Sequence, residues 1–320
     1  MVFSDTDGAM VADRIMTEGE DKTRHVKKVY QFGNKYVRSL IGAGGQANLC
    51  IETARLIEGF ETAKSGKRKD EVLKDRDEFA QRIGISGAIV SHSFLNGYCI
   101  AQYGIQFDDI IEGSYIDKQG TKRQVPEWMV EDVRDLIKGE ESQKYAGLRR
   151  LQLLILAQDK KGMGLVITHP GENTMPFQIP VRYDAIGTGG PAALRVIKEH
   201  LDRISGEDLA TMEFDRNTGL AMLIQAVDQA TIEKTGVEGT PDIYTLSAGG
   251  PKVTLENNAL IATKIVRGWD EGIVTDDLCA TAVGALVYED GDWRQVLHLV
   301  KRALDVPRRR ALEDLLLGIK

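Results

Sequence analysis

The sequence predicts an α/β protein in which sheets are layered between helices. Of its 320 residues, 42% are hydrophobic and 28% are charged, a composition that can fill a core and solvate a surface. Strand-like and helix-like segments follow one another in blocks, in the order strands, helices, strands, helices, strands. Blocks of this kind favour sheets packed between helices over a regular β-α-β alternation. The length corresponds to roughly two domains, or to one large domain with insertions.

The composition also excludes several functional classes. The formal net charge is −7, so the chain lacks the basic character of a protein that binds nucleic acid. The most apolar run, residues 151–157, is far shorter than the roughly 20 residues of a membrane-spanning helix, and the start lacks an export-signal pattern. We therefore predict a cytoplasmic protein with no nucleic-acid partner and no membrane partner.

The cysteines and histidines indicate neither a disulfide framework nor a bound metal. Cys50, Cys99 and Cys279 are far apart and form no C-x-x-C pair. The five histidines are equally scattered, without the spacing of a metal-binding motif. We expect reduced cysteines, no metal and no cofactor.

Two pairs of strands are predicted near the start. Residues 1–4 end a first strand, and an Asp-Thr-Asp-Gly turn at 5–8 leads into a returning strand at 9–12. Two further β-runs, at 26–32 and 36–41, are separated by a Gly-Asn turn pair. The chain thus begins as though it were already inside a sheet.

The middle of the chain alternates between helical and ambiguous segments. A helix with apolar residues at helical spacing follows the glycines at 42–45. The apolar, glycine-punctuated segment 85–111 is interpreted as partly β-like. Pro126 opens a helix, and a second helix is predicted from about 143 to 157.

The later segments are predicted with clearer boundaries. Strands at 165–168 and 177–181 form a hairpin. An amphipathic helix covers 194–204, a further helix covers 220–235, and a β segment follows at 240–245. Another amphipathic helix lies near the C-terminal end.

Two glycine clusters, Gly42-x-Gly44-Gly45 and Gly187-Thr188-Gly189-Gly190, each precede a predicted helix. Glycine there lets backbone N–H groups approach a ligand, and a helix N-terminus favours negative charge. Such a position suits a phosphate or a developing oxyanion. Neither cluster matches a dinucleotide or P-loop fingerprint, and a tight strand-to-helix turn is the simpler interpretation of each.

Lys27 and Lys28 lie in a predicted strand, where neighbouring side chains point to opposite faces. One lysine is therefore expected to face inward, and it needs a carboxylate partner or a function, because burying an unpaired ammonium is costly. Asp13, at the end of a strand, is the candidate partner, and such a lysine can lower the pKa of a neighbouring nucleophile. Two exposed lysines and a capping aspartate are the alternative.

These pieces together resemble the proteasome β-subunit family, and most closely its bacterial HslV-type branch. Each piece is short, but the pieces occur in the same order and stand at strand ends and helix starts. The matching stretches are Asp7-Gly8-Ala9-Met10-Val11-Ala12-Asp13-Arg14, Val26-Lys27-Lys28-Val29, Gly42-Ala43-Gly44-Gly45-Gln46-Ala47-Asn48, Ala185-Ile186-Gly187-Thr188-Gly189-Gly190-Pro191 and Asp242-Ile243-Tyr244-Thr245.

The resemblance implies a four-layer αββα sandwich of the N-terminal-nucleophile hydrolase type. It covers residues 1–60 and 146–256, which we expect to form the core, with 61–145 as an insertion and 257–320 as a C-terminal extension. It further implies a homo-oligomeric ring whose subunits cut peptides or unfolded proteins by threonine-type catalysis. An ATP-driven unfoldase would be the partner of such a ring.

The resemblance also assigns catalytic roles by position. Asp13 would pair with Lys28, the lysine that tunes the nucleophile. Gly44 would offer its N–H group to the oxyanion. The hydrogen-bond network around the terminal amine would include Thr188, which replaces the family's usual serine, and would be completed by Asp242 and Thr245.

The nucleophile itself is missing from the expected place. The family uses the N-terminal threonine of the mature chain, whereas this sequence starts with Met1 and reaches the turn at 5–8 too early. Ser4 stands at the wrong end of the strand. Three interpretations are open: the sequence lacks its true start, the protein is a catalytically inactive ring subunit, or another part of the chain replaces the missing residues. Besides a peptide hydrolase and an inactive ring subunit, a nucleotide- or phosphate-binding α/β protein is the third functional hypothesis.

Overall fold

The protein is a mixed α/β structure with open sheets and helices, which confirms the predicted class at that level. A computed structural model describes residues 1–18, 22–25, 27–45, 47–62, 73–139, 142–145, 151–169, 173–178, 182–204, 214–235 and 240–317. The strands are β1 (Gly8–Ala12), β2 (Ile15–Glu18), β3 (Lys22–His25), β4 (Val29–Gly33), β5 (Arg38–Gly44), β6 (Ser114–Ile116), β7 (Lys122–Gln124), β8 (Gln152–Asp159), β9 (Gly162–His169), β10 (Asn173–Gln178), β11 (Asp242–Ser247) and β12 (Gly250–Val253).

The helices cover much of the rest of the described chain. They are α1 (Ala47–Thr62), α2 (Arg76–Tyr103), α3 (Phe107–Glu112), α4 (Glu127–Lys138), α5 (Gly190–Ile204), α6 (Arg216–Thr235), α7 (Glu256–Asp270), α8 (Asp276–Val287), α9 (Trp293–Ala303) and α10 (Val306–Leu316). None of these helices is long and apolar enough to cross a membrane.

Two sheets form the centre of the molecule. One has five antiparallel strands in the order β10-β9-β8-β5-β4, and the other has three in the order β1-β11-β12. In the three-stranded sheet, β1 pairs with β11 so that Ala12 lies opposite Asp242 and Ala9 opposite Thr245. The ends of β1 and β11 therefore bring Asp13 and Asp242 to the same edge.

Side chains alternate between the two faces of each sheet. Met10 on β1, Leu40 on β5, Leu154 on β8 and Tyr244 on β11 belong to one buried cluster to which both sheets contribute. The residues next to them along each strand point to the opposite face of the sheet and belong to other clusters. Those of the five-stranded sheet, such as Ile41, pack with residues of α1 and α2, and those of β1 and β11 pack with residues of α5 to α10.

The first residues confirm the predicted turn and return strand. Val2 bridges Gly8, and the backbone N–H of Ala9 donates to the carbonyl of Met1 over 2.9 Å. Met1 and Phe3 are buried among the helices that cover β1. The first residues therefore run antiparallel to β1: the pairs step back from Val2 to Met1 as they step forward from Gly8 to Ala9.

Residues 85–111 were predicted to be partly β-like, and this is wrong. They lie in α2 and α3, apart from the short link at 104–106 between the two helices. The Asp75 side chain starts α2 by accepting hydrogen bonds from the N–H groups of Asp77 and Glu78, over 3.1 and 2.9 Å. The glycines inside α2 are tolerated because the helix packs against the five-stranded sheet through residues such as Phe79.

The predicted helix at 143–157 is also wrong, because residues 152–159 form β8 at the centre of the five-stranded sheet. A short continuous apolar run is compatible with either a buried helix or a strand buried on both faces. Likewise, β4 begins at Val29, so Lys27 and Lys28 precede the strand in which they were predicted to lie.

Other predicted elements are confirmed. The helix opened by Pro126 is α4, and the hairpin of the later segments is formed by β9 and β10. The amphipathic helices predicted near 194–204 and near the C-terminal end are α5 and α9. A small separate core joins the end of α2 to α3 and α4, through residues such as Cys99, Ile110 and Val133.

Candidate active site

An ion pair joins the two sheets at the predicted site. Lys28 Nζ lies 2.5 Å from Asp13 Oδ1, and the side chains of Lys28 and Asp13 are 20% and 39% exposed. Asp13 directly follows β1, and Lys28 directly precedes β4. Lys27 is exposed, whereas Lys28 is half-buried, so the expectation that one of the two lysines faces inward is confirmed.

Lys28 also adjoins the first glycine cluster. Its carbonyl accepts a hydrogen bond of 2.9 Å from the N–H of Ala43, the residue before Gly44. The charge of Lys28 reaches the thiol of Cys50 in α1: burial raises the pKa of Cys50 to about 11, and Lys28 only partly opposes this rise. Cys50 therefore stays a protonated thiol at neutral pH, which is the less nucleophilic form.

The two glycine clusters, predicted independently, lie against each other. A Cβ atom at Gly44 would lie 3.1 Å from the backbone nitrogen of Gly187 and 3.2 Å from its Cα. Gln152, opposite Gly44 in the sheet, accepts a hydrogen bond of 2.9 Å from the Gly187 N–H through its Oε1 atom. Gly187 has a φ of +80°, which favours glycine. Thr188 follows it and is exposed.

Asp242 forms an ion pair with Arg14, a residue for which no role was predicted. Arg14 Nε donates to Asp242 Oδ1 over 2.8 Å, and Arg14 Nη1 donates to Glu256 Oε1 over 2.6 Å. Burial alone would lower the pKa of Arg14, but the hydrogen bonds and charges of Glu256 and Asp242 outweigh it and raise the pKa. Arg14 therefore stays charged and links β1 to the starts of β11 and α7. Its place directly after Asp13, in the stretch 7–14, is the sequence feature that could have pointed to a role at this site.

Thr245 lies further from the ion pair. It is buried, three residues along β11 from Asp242, so the two side chains point to opposite faces of the strand. Three residues of strand correspond to about 10 Å. Thr245 lies opposite Ala9, which is also the residue that Met1 contacts.

The amino group of Met1 is buried beside β1. It donates a hydrogen bond of 2.8 Å to the carbonyl of Ala9. Burial lowers the pKa of this ammonium to about 5, while the charge of Asp184 acts in the opposite direction. Ala9 is four residues before Asp13, so the amino group lies about 14 Å along the strand from the ion pair.

Three Anbu structures are among the solved structures to which this chain is similar. The Anbu (ancestral beta-subunit) from Yersinia bercovieri is 15% identical, with 84% of this chain and 90% of that chain covered and a TM-score of 0.49. Anbu from Hyphomicrobium sp. strain MC1 is 11% identical, with 83% and 90% covered and a TM-score of 0.49. The helical assembly of the Anbu complex from Pseudomonas aeruginosa is 12% identical, with 83% and 89% covered and a TM-score of 0.50.

The comparison with the Pseudomonas aeruginosa complex shows a shared fold. No family model matches the chain, and no curated protein matches it. The prediction of a proteasome β-subunit of the HslV-type branch is wrong, because the solved structure that shares the fold is that of an Anbu complex, from a proteasome-like but distinct family. The short stretches that suggested it specify turns and strand-to-helix junctions, which distantly related chains of one fold can share.

Proposed function

We propose that this protein is a subunit of a proteasome-like homo-oligomeric assembly and that its fold is built for peptide-bond hydrolysis. The observation that carries the proposal is the Asp13–Lys28 ion pair beside the facing glycines Gly44 and Gly187. A lysine in this position can activate a neighbouring nucleophile, and N–H groups of a glycine loop can stabilise an oxyanion. Asp242 and Thr188 complete the proposed catalytic set. Together with the hydroxyl of Thr245 they would form the hydrogen-bond network around the terminal amine of a nucleophile.

The proposed architecture is the four-layer αββα sandwich of N-terminal-nucleophile hydrolases. The cluster to which both sheets contribute, with helices packed on the other face of each sheet, supports this arrangement. Residues 1–60 and 146–256 form the proposed core, 61–145 the insertion and 257–320 the C-terminal extension. A homo-oligomer is supported by the fold shared with the Anbu complex from Pseudomonas aeruginosa, whose structure is a helical assembly.

The strand register indicates where a nucleophile would act. Met1 lies opposite Ala9 and Val2 lies opposite Gly8, so the pairing steps back by one residue at a time. Continued in the same register, the fourth residue before Met1 would lie opposite Asp13. A hydroxyl or thiol placed there would be within the neighbourhood of Lys28. Peptides or unfolded proteins are the proposed substrates, and the ATP-driven unfoldase and the cytoplasmic location stay predictions.

An engineered extension tests the catalytic proposal. We would produce a chain that carries four additional residues before Met1, the first of them threonine, and react it with a peptide electrophile that labels N-terminal nucleophiles. The expected result is covalent labelling and peptide hydrolysis, both lost when the added threonine is alanine and when Lys28→Ala is introduced. Equal labelling with and without Lys28 would refute the role of the ion pair.

A catalytically inactive ring subunit is the second candidate function. Two observations favour it: the thiol of Cys50 near Lys28 stays protonated, and the Gly187 N–H is already donated to Gln152. Sedimentation analysis measures the assembly independently of chemistry. A large homo-oligomer that is never labelled, even after the extension, would support this second function. A monomer that is never labelled would contradict both.

A further inference from the structure

A cavity of about 560 Å³ lies in the helical layer, away from the Asp13–Lys28 ion pair. It is bounded by one face of α5, one face of α6 and the junction between α7 and α8. Its volume is in the range of pockets that hold small organic ligands. No part of the proposed hydrolytic function uses it.

A relay of hydrogen bonds fixes the tautomer of a histidine in the cavity wall. Asp270 Oδ1 accepts from Gln225 Nε2 over 2.5 Å, because a carboxylate can only accept. Gln225 Oε1 must then face His200, whose Nε2 lies 2.5 Å away and must donate. Gln229 Nε2 donates to Asp270 Oδ2 over 2.8 Å and secures the carboxylate. Neutral His200 therefore keeps Nδ1 as a hydrogen-bond acceptor.

The wall and floor of the cavity combine a flat aromatic surface with apolar groups. The ring of His200 stacks on Trp269 with centroids 5.1 Å apart and an interplanar angle of 15°. Trp269 Nε1 donates to Asp276 over 2.7 Å, which fixes the indole. Buried Met222 and Cys279 contribute to the lining. An apolar side chain of a ligand can be buried here without leaving polar groups unpaired.

The charged groups at the cavity differ in whether they already have hydrogen-bond or ion-pair partners. Asp270 and Asp276 already accept hydrogen bonds from the cavity wall, and Arg195 is paired with Glu233. Arg203 makes no ion pair or hydrogen bond with another residue in the described parts of the chain. His200 and Arg203 are three residues apart on α5 and share one face of the helix. A hydrogen-bond acceptor and a cation thus stand side by side on α5, with Glu199 nearby, at a cavity whose lining is partly apolar and partly charged.

We propose that this cavity binds an α-carboxylate next to an apolar side chain, as found in a free amino acid or at the C-terminal end of a peptide. Arg203 binds the carboxylate, and the N–H group beside the α-carbon donates to His200 Nδ1. The apolar side chain lies over Met222 and Cys279 beside the Trp269 ring. The proposal concerns a second site and stands whether or not the chain hydrolyses peptides.

Calorimetric titration of the intact chain with three probes tests the proposal. N-acetyl-leucine represents a peptide terminus, leucine represents a free amino acid, and N-acetyl-leucinamide lacks the carboxylate. We expect N-acetyl-leucine or leucine to bind, with the tighter of the two identifying the source. N-acetyl-leucinamide should bind at least about tenfold more weakly, since it loses a charged hydrogen bond. Equal binding of N-acetyl-leucine and N-acetyl-leucinamide, or no binding of either acid, would overturn the proposal.

Two arginine variants locate the site. Arg203→Gln should weaken binding of the carboxylate probe by about tenfold. Arg310→Gln, an exposed arginine on α10, is the matched control and should leave binding unchanged. If the two variants behave alike, the assignment to this cavity is wrong. Nitrogen NMR of His200 adds a readout that folding defects do not imitate: Nδ1 should be unprotonated in the neutral ring and should shift when the probe binds.

Discussion

Lys28 Nζ lies 2.5 Å from Asp13 Oδ1, so one ion pair ties the residue that follows β1 to the residue that precedes β4. These two strands belong to different sheets. The pair therefore fixes the two sheets relative to each other at the edge where Asp242 and Gly44 also lie.

The energetic coupling between Asp13 and Lys28 should be modest. Both side chains are partly exposed, and ion pairs in such positions contribute up to about 1 kcal/mol. We expect a double-mutant cycle of Asp13→Ala and Lys28→Ala to give a coupling of about 1 kcal/mol in the free energy of unfolding, measured with urea and reduced by salt. A coupling near zero would show that the pair has no role in holding the sheets together.

Gly44→Ala should destabilise the protein by about 1–3 kcal/mol, because the added methyl group would press on the backbone of Gly187. Gly33→Ala on β4 is the matched control. A Cβ atom there would meet nothing within 4 Å, and we expect a change below about 0.5 kcal/mol. Urea unfolding of the two variants compares them, and equal losses would mean that the two glycine loops do not rely on close contact.

Asp132 should make the region around α4 sensitive to acid. Burial alone would raise the pKa of Asp132, but hydrogen bonds from Lys144, Tyr103 and Tyr145 outweigh it, and the pKa lies below its ordinary value. A carboxylate with a lowered pKa adds stability above the unfolded-state value of about 3.9 and loses it as the pH falls through the folded-state value.

The variant Asp132→Asn measures that contribution. The stability difference between wild type and variant should be constant near neutral pH and should shrink below about pH 4. Thermal unfolding of both proteins across this range provides the test. A difference that does not change with acid would mean that the Asp132 network contributes nothing through its charge.

Asp228→Ala should be strongly destabilising. Asp228 is 3% exposed and accepts two hydrogen bonds from Arg267, over 2.7 and 2.8 Å, which join α6 to α7. Removing one partner of a buried pair costs about 3–5 kcal/mol, because the other charge stays buried. Glu52→Ala, which removes an exposed pair with Arg55 on α1, should cost less than about 0.5 kcal/mol in the same assay.

Much of the fold could be predicted where one local signal dominates. The amphipathic pattern of α5 and the Pro126 start of α4 are set by contacts within a few residues, and both were predicted. The segment of β8 was not, because its apolar residues face two different clusters, and an unbroken apolar run does not say whether it is a helix or a strand.

The candidate site likewise contains some residues whose roles were predicted and others whose roles were missed. The structure pairs Asp13 with Lys28, as the family resemblance implied, whereas the residues alone left open which of Lys27 and Lys28 faces inward. The roles of Gln152 and Arg14 were missed. Gln152 contacts Gly187 only because β8 is a strand that places it opposite Gly44, whereas the apolar run of that segment predicted a helix.

The sequence by itself determined the α/β class and the two glycine turns, since these depend on residue type and on spacing along the chain, whereas the Asp13–Lys28 pair was implied only by the family resemblance. Tertiary structure decided that the two glycine turns touch, that Thr245 faces away from Asp242, and that His200, Gln225 and Asp270 form one relay. These relations join residues separated by up to about 140 positions, and no local preference of the backbone encodes them. They arise only when sheets and helices pack and bury their apolar faces together.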